Sequence, residues 1–165
     1  MLNKKVFLPF ILLIVVLLAG ILLPNIPFAG NRAWSLRVAD PRDRVVYYDL
    51  EVKAGDIFSF SLRNSVSKSV VSGTFLITEE GLIKPLTTAF TSYGPGLPFD
   101  FLEDYLIEDG VITVFHHDPP RDKIRLWVTP QTEETIYLHD QVYPLSTLSE
   151  SSILLEIWVA LPGLN

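Results

Sequence analysis

Apolar and polar positions divide the chain into two parts with different rhythms. Residues 6–23 read VFLPFILLIVVLLAGILL, 18 positions without a charge or a strongly polar side chain. At a rise of ~1.5 Å per residue such a run spans nearly the whole ~30 Å hydrocarbon core of a bilayer, so the pattern predicts one transmembrane helix. The connector 24–31, PNIPFAGN, stops it, because its prolines and glycine break helical continuation. From residue 32 onward the period becomes two. In 45–52 Val46, Tyr48, Leu50 and Val52 share a face, and in 57–62 Phe58, Phe60 and Leu62 alternate with Ser59 and Ser61. In 153–160 Ile153, Leu155, Ile157 and Val159 do the same. Further strands are predicted at 70–78, 82–90, 111–116, 123–129, 135–138 and 141–145. Turn signals at Ala54-Gly55-Asp56, Glu79-Glu80-Gly81, Glu108-Asp109-Gly110 and His139-Asp140 separate them. One short helix is expected, over 100–107. The pattern therefore predicts an all-β fold, an antiparallel β-sandwich or small β-barrel, preceded by one N-terminal transmembrane helix. The division is an anchor at 1–23, a linker at 24–31 and a domain at 32–165.

Charge orients the anchor. Lys4 and Lys5 precede the apolar run and no acid does, which places the N-terminus inside and the domain on the extracytoplasmic side of the cell membrane. Arg32 and Arg37 follow the run and weaken this asymmetry without reversing it. A cleaved signal peptide shares the basic start, but its apolar core is shorter, roughly 7–15 residues, and ends in a small-x-small site. Pro27-Phe28-Ala29 puts proline where a small residue is wanted, and Leu18-Ala19-Gly20 lacks the cysteine of a lipoprotein signal. The reading is a single-pass, uncleaved anchor.

The chain has no cysteine, which excludes disulfides and thiol chemistry. Without Lys4 and Lys5, 11 of the 13 basic residues stand against 19 acids, a net of −8. That balance argues against nucleic acid and against a basic patch on anionic lipid.

Several clusters offer side chains with chemical potential. His116-His117-Asp118 abuts Pro119-Pro120 at a strand end, and neighbours on a strand point to opposite faces, so the two imidazoles do not share an ion. They are expected to be solvated, as is His139 in its turn. Ser65, Ser67, Lys68 and Ser69 offer serine beside lysine but no orienting third group and no nucleophile elbow. The acid pairs Glu79-Glu80, Glu108-Asp109 and Glu133-Glu134 fall in turns and read as solvated charges. Gly94-Pro95-Gly96 lacks the lysine and hydroxyl of a phosphate loop. No catalytic residue, metal site or cofactor is expected. Tyr93-Gly94-Pro95-Gly96-Leu97-Pro98 is a rigid loop, either a turn that packs Tyr93 and Leu97 or a preformed binding loop.

Two stretches, FSFSLRNSVSKSVVSGTF at 58–75 and TSYGPGLP at 91–98, carry a resemblance. The region 50–128 resembles the bacterial domain of unknown function 1850 family, whose members carry a strand ending in His-Ser-Val and, two strands later, a Gly-x-Gly-Leu-Pro loop. Such proteins are small, exported or anchored, and often encoded beside TRAP transporters of the TAXI type. The motif falls on Asn64, Ser65 and Val66, and on Gly94, Gly96, Leu97 and Pro98. Asn64 stands where the family has histidine, and Ser72-Gly73 where it has an acid. An amide does not shuttle protons near neutral pH, which argues further against an enzyme. The resemblance implies a non-enzymatic accessory or interaction domain. Its expected partners are the membrane and a transporter membrane subunit or solute-binding protein, with Asn64, Ser65, Tyr93, Gly94, Gly96 and Pro98 as ligand or partner contacts. The alternatives are a small-molecule binding module at the barrel end near Asn64 and Tyr93, and a divergent serine hydrolase.

Overall fold

The structure, a computed structural model, describes residues 33–91 and 104–162. The expected anchor and linker, and the loop with Tyr93, Gly94, Gly96, Leu97 and Pro98, lie outside the described residues. Among the described residues there is no helix, and so none long and apolar enough to cross a membrane.

Eleven strands fill the described part, and every pairing is antiparallel. They are β1 (Trp34–Asp40), β2 (Val45–Val52), β3 (Ile57–Arg63), β4 (Val70–Ile77), β5 (Ile83–Phe90), β6 (Tyr105–Glu108), β7 (Val111–Phe115), β8 (Lys123–Val128), β9 (Thr135–Leu138), β10 (Gln141–Pro144) and β11 (Ile153–Ala160). Four form one sheet in the order β2-β1-β11-β8. Seven form the other, β10-β9-β3-β4-β5-β7-β6.

The period-two pattern decides what each sheet buries. Leu36 and Val38 of β1 stand opposite Val159 and Ile157 of β11, and all four are buried. They meet Phe58, Ile77, Ile83, Ile136 and Leu138 of the larger sheet in one cluster, so the two sheets share a core. Phe75 stacks on Phe58 at 5.1 Å between ring centroids. Glycine at 73 leaves room for that ring, since a Cβ there would lie 3.1 Å from it. A second, smaller cluster of Phe90, Ile112 and Val114 sits on β5 and β7 with Val71 against it.

Two bulges adjust the pattern. Val38 pairs with Tyr48 but Ala39 with Val46, so Tyr47 is an extra residue in β2. Val46 is thereby turned off the face it was expected to share with Tyr48, Leu50 and Val52, and it is exposed. In β5 Thr87 pairs with Thr74 and Pro85 with Phe75, leaving Leu86 extra. The bulge accommodates a proline that has no N–H for the ladder, and the carbonyl of Leu86 accepts from the N–H of His116 at 2.8 Å.

The expected helix over 100–107 is corrected, because residues 105–107 belong to β6. Residues 100–103 of that expectation lie outside the described residues. The turn signals hold: Asp109 and Gly110 (φ 50° and 77°) join β6 to β7, and His139 and Asp140 (φ 49° and 60°) join β9 to β10. Positive φ at both central residues is the geometry a two-residue hairpin needs.

Candidate functional site

Asn64 and Ser65 lie in the loop that joins β3 to β4. The Asn64 side-chain oxygen accepts from the N–H groups of Val66 and Ser67 at 2.9 and 3.0 Å. Its backbone is tied as well, its N–H donating to the Ser69 carbonyl and its carbonyl accepting from Lys68. Arg63 braces the loop, donating from Nη1 to the Lys68 carbonyl and from Nε to Glu133. Asparagine here is a turn former whose oxygen is fully engaged by its own loop. Ser65 is exposed beside it.

The three histidines are separate, each with its own partner. His116 directly follows β7 and is held against β5, where a solvated strand end was expected. Its Nε2 is 2.8 Å from the Thr88 hydroxyl and its side chain is only 18% exposed. That corrects the solvated reading. Asp118 and the His116 Nδ1 are 4.0 Å apart, beyond hydrogen-bond reach. His117 points the other way, to Asp104 at 3.4 Å, and is well exposed. His139 reaches Asp56 at 3.0 Å, and the same carboxylate accepts from the Lys53 N–H at 2.9 Å. This carboxylate therefore joins the β2–β3 turn to the β9–β10 turn. Among the described residues no three histidine or acidic side chains come together to hold a metal ion.

Of the acid pairs, one departs from expectation. Glu134 is only 4% exposed, whereas Glu133 beside it is solvated and paired with Arg63. The Thr132 hydroxyl donates to the Glu134 carboxylate, and Thr129 stands 2.8 Å behind Thr132 in the same chain of hydroxyls. The Glu134 backbone carbonyl receives the N–H groups of Leu145 and Ser146. Its second carboxylate oxygen has no hydrogen-bond partner among the described residues. The parity of the strand held the signal: Glu134 is two positions before Ile136 and four before Leu138, both buried.

Among the described residues β6 is the last strand of the larger sheet and the one strand whose side chains are all exposed. The Phe115 N–H donates to the Asp104 carbonyl at 2.8 Å, and Leu106 pairs with Thr113. Antiparallel pairs alternate between bonded and non-bonded, so the backbone N–H and C=O of Ile107 point away from β7. Leu106 and Ile107 are 50% and 57% exposed. An edge this apolar offers backbone groups and side chains together to an added strand. No family model, curated protein or solved structure matches the chain. The remaining expected contacts, Tyr93, Gly94, Gly96 and Pro98, lie outside the described residues, so their relation to Asn64 is not part of this geometry.

Proposed function

We propose that the chain is a membrane-tethered, extracytoplasmic interaction domain with no reaction of its own, acting as an accessory to a TRAP-type solute transporter. The observation that carries the interaction reading is β6, an apolar edge strand whose outward backbone groups at Ile107 and exposed Leu106 suit pairing with an extended segment of another protein. The tether rests on the apolar run at 6–23 behind Lys4 and Lys5. The transporter context rests on the resemblance of 50–128.

The test is mild cross-linking in native membranes, followed by recovery of the full chain through a C-terminal tag. Three forms are compared: wild type, a chain without residues 1–23, and Ile107→Pro. Proline at 107 removes a donor that faces outward and leaves the ladder to β7 intact. The expected result is a membrane or solute-binding protein recovered with wild type and lost with Ile107→Pro at unchanged circular dichroism. If the two forms recover the same proteins, or neither recovers any, the reading fails.

A further inference from the structure

On the outer side of the four-stranded sheet the register brings together residues that the interaction reading does not use. Inward positions of β11 are Leu155, Ile157 and Val159, so Glu156 and Trp158 face outward, and Trp158 stands opposite Lys123 of β8. Beside them the turn between β4 and β5 carries Glu80 and Gly81, and Gly81 packs so closely on Leu161 that a Cβ there would lie 2.7 Å from it. Turn and strand border an open cleft of about 390 Å³ lined by Glu80, Asp122, Lys123, Glu156, Trp158 and Leu161. Its volume is in the range of small-molecule sites.

The charges around the indole are unequal. Glu156 is committed: Lys123 reaches it at 3.4 Å and Arg125 at 2.6 Å. Arg37, which stands opposite Trp158 on β1, is likewise paired, with Asp49 at 3.3 Å, so both cations that flank the indole are held by acids of the same sheet. Glu80 and Asp122 remain exposed at the mouth without a cationic partner among the described residues. The Thr78 hydroxyl hydrogen-bonds Glu80 and holds its carboxyl below the usual range, so this charge is present at neutral pH. An aromatic wall with two uncompensated carboxylates at its rim selects against anions. It favours a cation that carries apolar surface, because the ring face attracts positive charge and the methyl groups cover the indole.

We infer that this cleft binds a small organic cation of the alkylammonium class, with Trp158 as the platform and Glu80 and Asp122 as counter-charges. The site is independent of the β6 edge, so either can fail alone.

The test is calorimetric titration of the full chain in detergent with choline, with its uncharged isostere 3,3-dimethylbutan-1-ol and with acetate. Choline is expected to bind, and the isostere to bind about tenfold more weakly, because only the ring–cation and carboxylate attractions are lost. Trp158→Leu is expected to abolish choline binding, and Glu80→Gln and Asp122→Asn to weaken it several-fold each. Trp127→Leu, on β8 and away from the cleft, should leave it unchanged. Glu80 is an exposed turn residue, so its variant remains informative if Trp158→Leu fails to fold. Binding of choline and its isostere with equal affinity would overturn the proposal. So would indifference to Glu80→Gln and Asp122→Asn, or the absence of heat up to about 10 mM choline, below which even weak specific sites are seen.

Discussion

The inner surface of the seven-stranded sheet is built the same way throughout but is covered differently along its width. Over β9, β3 and the near end of β4 and β5, its side chains meet Leu36, Val38, Leu155 and Ile157 of the opposing sheet in the main core. At the far end of β5 and on β7, Phe90, Ile112 and Val114 form a second buried cluster, whose members among the described residues all belong to the larger sheet. The larger sheet has seven strands to the smaller sheet's four, and among the described residues β6 is its last strand. Both clusters are buried, whereas β6, one strand further out, keeps all four of its side chains exposed.

Isoleucine truncations test that contrast most directly. Ile157→Ala, in the main core, is expected to cost about 4 kcal/mol, and Ile112→Ala, in the smaller cluster beside the last strand, about 2 kcal/mol. Urea unfolding measures both, and equal costs would break the comparison. Amide hydrogen exchange sharpens it: the β6–β7 pair should open well below the global unfolding free energy, while β1 and β11 exchange only with it. A smaller effect belongs to the turn that leads from β3 into β4. Asn64→Ala removes the acceptor of two N–H groups that solvent partly replaces, so about 1 kcal/mol is expected from thermal melting. Loss of binding partners without this loss of stability would show that Asn64 does more than shape its loop.

The smallest expected effect is a pH dependence set on the outer face of the smaller sheet. Burial pushes the Glu156 carboxyl up, but hydrogen bonds from Arg125 and Lys123 outweigh it and hold the group below its ordinary range. Its contribution is therefore complete above the unfolded glutamate value, about 4.3, and is lost as pH falls through the lower folded value. Glu156→Gln should lower stability at neutral pH and flatten the acid limb of the stability curve below that point. An unchanged acid limb would mean that Arg125 and Lys123 stabilise the pair no better than water does.

Much of the strand pattern was legible. The bounds expected for β2, β9 and β11 match the structure, because each carries apolar residues at every second position and ends at a turn or an exposed pair. β1 is not among the expected strands although Trp34, Leu36 and Val38 alternate with Ser35 and Arg37, because its pattern runs directly on from the connector. β6 had no such signal. All four of its residues are exposed, and it is a strand only because β7 and the Asp109-Gly110 turn hold it there. Of the candidate contacts, Asn64 could be located from sequence but its role could not, since its two acceptor bonds are made within a loop whose shape is unknown until it is folded. The cleft at Trp158 depends on β8, β11 and the β4–β5 turn being neighbours, and no local pattern encodes that.

The order β2-β1-β11-β8 also sets a timetable for synthesis. Arg37 and Trp158 are adjacent across β1 and β11 but 121 positions apart in sequence (158 − 37). At about 10 residues per second, roughly ten seconds separate their appearance from the ribosome. Until β11 emerges, β1 and β2 have no link to β8, and the smaller sheet is in two pieces with Leu36 and Val38 uncovered on one side. Such distant pairing makes closure slow relative to local hairpin formation. The nascent chain can form its hairpins early, but the core closes only when the last strand arrives. Truncation within the final strand would therefore be felt across the whole domain, far beyond the residues removed.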